Sequence, residues 1–139
     1  MQVVLNMREK ELEERQMEMA KILAALNAQK EKLQGILNAQ EENRAKQEAL
    51  FTSESLDISQ VELHRTFGLK LLQDAINQER VIANTEAILK VKQKEVIEAH
   101  QKVEVLKKLK EKQEDEYYKE FLQAEMKEID DITSARFRL

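Results

Sequence analysis

His64 and His100 are the residues in this chain best suited to ligating a metal. In helical bundles that hold metals, such a histidine works with a glutamate three residues before it, on the same face. The positions that would supply that glutamate hold Val61 and Ile97. Both histidines therefore read as solvated helix residues. Cysteine is absent, which excludes a disulfide framework and a thiolate metal site. Gly35 and Gly68 stand alone, so no glycine-rich loop can cradle a phosphate. Acidic clusters at Glu114, Asp115 and Glu116 and at Asp130 and Asp131 read as solvated faces. No catalytic residue, cofactor site or metal site is expected, and the chain is not expected to be an enzyme.

Charge suggests binding instead. Lys90, Lys92, Lys94, Lys102, Lys107, Lys108, Lys110 and Lys112 form a basic stretch, interleaved with Glu95, Glu98, Glu104 and Glu111. That pattern suits a solvated coiled-coil flank or an electrostatic contact with an acidic protein surface. The net charge of −4 argues against duplex nucleic acid as a partner. No apolar run approaches the ~20 residues of a membrane span. Residues 1–6 are too short, and too soon followed by charge, to be a secretory signal.

The elements that carry these residues are long helices. There is no proline, 36% of the residues are charged and only 4% are aromatic. This is the composition of a long helix or coiled coil, with burial confined to a narrow seam. In a first arm, 1–51, Leu5, Leu12, Met19, Leu26 and Leu33 recur every seven residues. Ile22 and Ile36 fill the second seam position, while Arg8, Arg15 and Gln29 weaken it. In a second arm, 60–133, the seam reads Ile82, Leu89, Val96 and Val103, preceded by Leu72, Ala75 and Ile76 and followed by Leu106, Leu109 and Tyr117.

Between the arms, residues 52–59 lose the periodicity and are rich in Ser, Thr and Asp, which favour turns and caps. Ser59 followed by Glu62 predicts a capping box, and Ile58 against Leu63 a hydrophobic staple. Gly68 predicts a local irregularity or a close contact, because glycine inside a helix costs ~1 kcal/mol. The expected fold is all-α: a single long antiparallel two-helix coiled-coil hairpin with a short tail, 134–139. Its arms are unequal, ~75 Å and ~110 Å at the helical rise. Folding near Leu56 puts Met1 opposite Leu109, so the C-terminal helix overhangs from 110 onward. That overhang carries Tyr117, Tyr118, Phe121, Leu122, Met126, Ile129 and Ile132. An apolar stripe of this size marks an interaction site.

Three motifs, in order, carry a family resemblance. They are the opening run from Val4 to Glu11, the run Ala75-Ile76-Asn77-Gln78-Glu79-Arg80, and a C-terminal series. The last contains Leu106-Lys107-Lys108-Leu109-Lys110-Glu111-Lys112-Gln113, Glu116-Tyr117, Glu120, Glu125-Met126-Lys127-Glu128-Ile129-Asp130-Asp131-Ile132 and Ala135-Arg136-Phe137. Together they resemble the FliJ family, coiled-coil proteins of the flagellar type III export apparatus. The lead-in before Leu5 is shorter than the family's.

The resemblance implies a stalk-like, non-enzymatic protein, similar to the central stalk subunit of rotary ATP synthases. It implies contacts with the export ATPase FliI and its regulator FliH, with the export gate protein FlhA, and with export chaperones. It also implies stimulation of the ATPase and a place in the cytoplasm, held at the inner membrane by the apparatus without insertion. By the motif match, the gate contact would fall on Leu72, Ala75 and Glu79. The stalk analogy puts the ATPase contact at the helix termini, where the overhang lies. The stalk protein of a virulence secretion system, or an unrelated coiled-coil scaffold, is the alternative at this level.

Overall fold

The computed structural model describes residues 1–138, with side chains described for 1–136. Two helices make up the fold, α1 (Gln2–Thr52) and α2 (Ile58–Arg138). They pack against each other as a helical hairpin, so the fold is all-α. Neither helix contains a backbone of positive φ, and both glycines are helical.

The turn is shorter than the sequence suggests, and its cap lies elsewhere. Asp57, not Ser59, caps α2. Its carboxylate accepts the Ser59 backbone N–H at 2.9 Å, and its carbonyl accepts the Val61 N–H at 3.1 Å. Both residue types can cap, but a carboxylate is the stronger acceptor and its charge suits a helix N-terminus. Choosing it lets Ile58 and Ser59 join the helix. Glu62 then does not reach back; it pairs with Arg65 at 3.5 Å. The staple also fails, because Ile58 and Leu63 both stay exposed. At the other end α2 continues past Thr133 to Arg138, since no glycine or proline stops it. The last tail residue, Leu139, lies outside the described residues.

Packing divides the chain into two units. One is Arg15–Glu95, which contains the turn. Its apolar core is thin: Leu26, Leu71, Ala75 and Ile82 are buried, and so are the polar Asn43, Gln78 and Thr85. On α2 the buried and half-buried positions 61, 64, 68, 71, 75, 78, 82, 85, 89 and 92 alternate by three and four residues, with Asp74 and Glu95 half-buried beside them. This is a coiled-coil seam. Leu72 and Ile76 fall one position outside it and are exposed, contrary to the sequence reading. Leu71, Gln78 and Thr85 take the seam places instead.

Polar seam residues bond across the pair. Gln78 Nε2 donates to the Gln29 carbonyl at 2.9 Å. Asn43 Nδ2 donates to the His64 carbonyl at 2.9 Å, and Asn43 Oδ1 lies 2.9 Å from His64 Nδ1. Gly68 makes room for that amide: a Cβ there would lie 3.0 Å from Asn43 Nδ2. The glycine thus marks a close contact, with no irregularity in the helix.

The other unit joins Met1–Glu14 to the chain from Val96 onward. Leu5, Ala99 and Val103 are its buried apolar residues. Lys110 Nζ donates to Gln2 Oε1 at 2.6 Å, which sets the pairing where the sequence reading put it, Met1 near Leu109. Leu109 itself and Tyr117 are exposed and are not seam residues. Every residue from 111 to 136 is exposed. This stretch is the continuation of α2; among the described residues there is no separate overhanging helix.

Candidate interaction surface

The far stretch of α2 presents a series of exposed apolar side chains. Tyr117 is 73% exposed, and Leu122, the most sheltered of the predicted contact residues, is still 40% exposed. Tyr118, Phe121, Met126, Ile129 and Ile132 lie between these limits. At ~100° per residue these seven side chains occupy an arc of roughly 180° around the helix. A single packed face usually occupies little more than ~100°. The paired seam of the same unit, Val96, Ala99, Val103, Leu106 and Lys110, is narrower, roughly 80° by the same geometry. Its three-four spacing would continue to Gln113, Tyr117, Glu120, Ala124, Lys127 and Asp131, mostly polar residues. The apolar arc is therefore turned about one residue, ~100°, away from the hairpin face.

A second exposed apolar group lies where the two helices of this unit are paired. Val3, Val4 and Met7 on α1 are exposed, as are Val105 and Leu109 on α2. Val4, Arg8, Glu98, Gln101, Lys102, Val105 and Leu106 line a shallow groove of about 450 Å³. The sequence reading assigned no surface role to Val3, Val4, Met7 or Val105. Their signal was present, because Val3, Val4 and Met7 are apolar yet lie off the seven-residue series that begins at Leu5.

The residues matched to a gate contact divide. Leu72 and Glu79 are exposed on α2. Ala75 is 5% exposed and belongs to the seam. The three share one side of the helix by spacing, but only the outer two reach the surface.

The basic stretch is partly absorbed by pairing. Lys92 lies 3.3 Å from Glu18 and 3.5 Å from Glu95, and Arg15 contacts the same two carboxylates at 3.3 and 3.5 Å. The Lys92 hydrogen bond, more than the Arg15 one, holds the Glu18 carboxyl below its ordinary range, against the opposing effect of desolvation. On the same unit Arg44 lowers the Glu41 carboxyl, and its own guanidinium is held still more firmly protonated. His64 is committed to Asn43, and His100 lies 4.0 Å from Glu104 on an exposed face. No three metal-binding side chains come together among the described residues. Among the same residues, no helix is long and apolar enough to cross a membrane.

This arrangement offers exposed apolar surface suited to binding. Comparison with known proteins agrees with that reading. No curated protein and no solved structure matches the chain. The family model described as the flagellar FliJ protein matches residues 1–139, the whole length. The chain therefore belongs to the FliJ family, whose members are non-catalytic components of the flagellar export apparatus.

Proposed function

We propose that this protein binds the export ATPase through the exposed end of α2 and stimulates its ATP hydrolysis. The observation that carries this reading is the apolar arc from Tyr117 to Ile132, whose side chains are all exposed. Burying Leu122, Met126 and Ile129 on a partner would yield ~1.5–3 kcal/mol for each side chain fully covered. The same reading gives the export gate a contact on α2, with Leu72 and Glu79 at the surface and Ala75 holding that segment against α1. FliH and export chaperones are further partners in this reading. It also places the protein on the cytoplasmic side of the inner membrane, through the apparatus alone.

The test is phosphate release by the purified cognate ATPase with increasing amounts of this protein. Wild-type chain should raise the rate. The triple variant Leu122→Ser, Met126→Ser, Ile129→Ser should need at least tenfold more protein, since ~1.4 kcal/mol is a factor of ten. Its melting should match the wild type, because all three residues lie beyond Lys110, where pairing ends. Unchanged stimulation by the variant would refute the assignment.

A further inference from the structure

Charge changes sign where the helices of the Met1–Glu14 unit stop pairing. From 101 to 112, α2 carries five lysines and two glutamates. From 113 to 133 it carries eight carboxylates and only two lysines, Lys119 and Lys127. That segment is more negative than the chain as a whole, whose net charge is −4. Most of these carboxylates border the apolar arc, while Glu114 and Glu125 fall within it. At ~100° per residue, Glu120, Glu128 and Asp131 fall along one margin and Asp130 along the other. Their side chains are exposed, and Glu114 lies 4.0 Å from Lys110.

We propose that the end of α2 docks into a concave, basic-rimmed protein surface: an apolar floor that wraps half the helix, edged by Lys or Arg. This rests on the proposed ATPase contact and specifies its chemistry. Three features support it. The arc is about twice as wide as the paired seam, so a flat surface or one helix would leave part of it wet. It is turned away from the hairpin face, so the partner does not simply extend the groove of α1. A carboxylate rim is repelled by a second copy of itself and by an anionic lipid surface, and attracted by cations. The apolar floor supplies affinity, and the rim sets orientation and on-rate. Rim contacts are exposed to solvent, so salt screens them within ~8–10 Å.

The experiment measures affinity for the purified cognate ATPase between 50 and 500 mM salt. Four chains are compared. They are wild type, the triple serine variant, a rim variant (Glu120→Gln, Glu128→Gln, Asp130→Asn, Asp131→Asn) and a control with four carboxylates of the other unit neutralised (Glu31→Gln, Glu42→Gln, Glu54→Gln, Glu62→Gln). The rim variant should bind tenfold or more weakly at low salt and lose most of its salt dependence. The control should bind as wild type. Rim and control variants that both match wild type, while the triple variant fails, overturn the basic-rimmed partner and leave the ATPase contact standing. Tighter binding by the rim variant does the same. If the triple variant binds as wild type, the contact itself is wrong and the inference falls with it. Dimers in sedimentation, or flotation with anionic vesicles, that depend on the same three apolar residues would also overturn it.

Discussion

Replacing each glycine by alanine separates helix propensity from packing. Both are interior helical positions, so each substitution removes the same backbone-entropy cost, ~0.5–1 kcal/mol in favour of alanine. At Gly35 a new Cβ meets nothing within 4 Å. Gly35→Ala should therefore raise stability by the full ~0.5–1 kcal/mol. At Gly68 the new Cβ lies 3.0 Å from Asn43 Nδ2. That nitrogen is the end of a side chain, but it is not free to swing: it donates to the His64 carbonyl at 2.9 Å, and the amide oxygen is held by His64 Nδ1. Asn43 is 5% exposed, so moving it breaks hydrogen bonds in a place water does not easily reach. An unsatisfied buried amide costs ~1–3 kcal/mol. Gly68→Ala should thus come out neutral to ~2 kcal/mol destabilising once the propensity gain is set against that cost. Urea unfolding followed by far-ultraviolet circular dichroism gives both numbers under one slope. Asn43→Ala supplies the decisive background, because Gly68→Ala should become as favourable there as Gly35→Ala. If Gly68→Ala gains as much as Gly35→Ala in the wild-type chain, the amide has room to move and the reasoning fails.

Three further outcomes are expected. Asp57→Ala should destabilise the start of α2 by ~1 kcal/mol, whereas Ser59→Ala should leave the urea midpoint unchanged. A loss at Ser59 equal to that at Asp57 would restore the capping box. Gln29 Oε1 is buried without a partner, so Gln29→Leu should raise stability by ~1 kcal/mol or more as an unmet acceptor is replaced by an apolar group; a lower midpoint would mean that the amide is satisfied. The Glu18 carboxyl is held below its ordinary value of 4.5 by Lys92 and Arg15. The stability it contributes is present above pH 4.5 and is lost as pH falls through the lower folded-state value. Lys92→Met should flatten that acid limb of the stability–pH curve, and an unchanged limb would show that Lys92 is not the cause.

Much of this protein was written in the spacing of its apolar residues. Leu5, Leu26, Ile82 and Val103 recur at coiled-coil intervals, and they are among the buried residues. With no proline and one lapse in the pattern, two long helices and a turn follow from local rules. The length of α1 then dictates where pairing ends, and the Gln2–Lys110 bond lies there. The apolar stripe beyond was equally legible, because α1, which begins at Gln2, is too short to reach it.

Tertiary packing decided what local rules left degenerate. Asp57 and Ser59 are both good caps, and only the closed turn selects between them. Leu71 and Leu72 are adjacent leucines, and a rotation of ~100° decides which one is buried. The partner helix fixes that rotation, so Leu71 turns inward and Leu72 outward. Asn43, Gln78 and Thr85 look like surface residues by type, yet they fill seam positions. A buried polar side chain needs a partner for its hydrogen bonds; Thr85 finds one on its own helix, the Val81 carbonyl, but Asn43 and Gln78 find theirs only across the seam. The sequence of one helix cannot show that partner. Gly68 was visible as an anomaly from the start, but its reason is an amide on the other helix, 3.0 Å from where its side chain would begin.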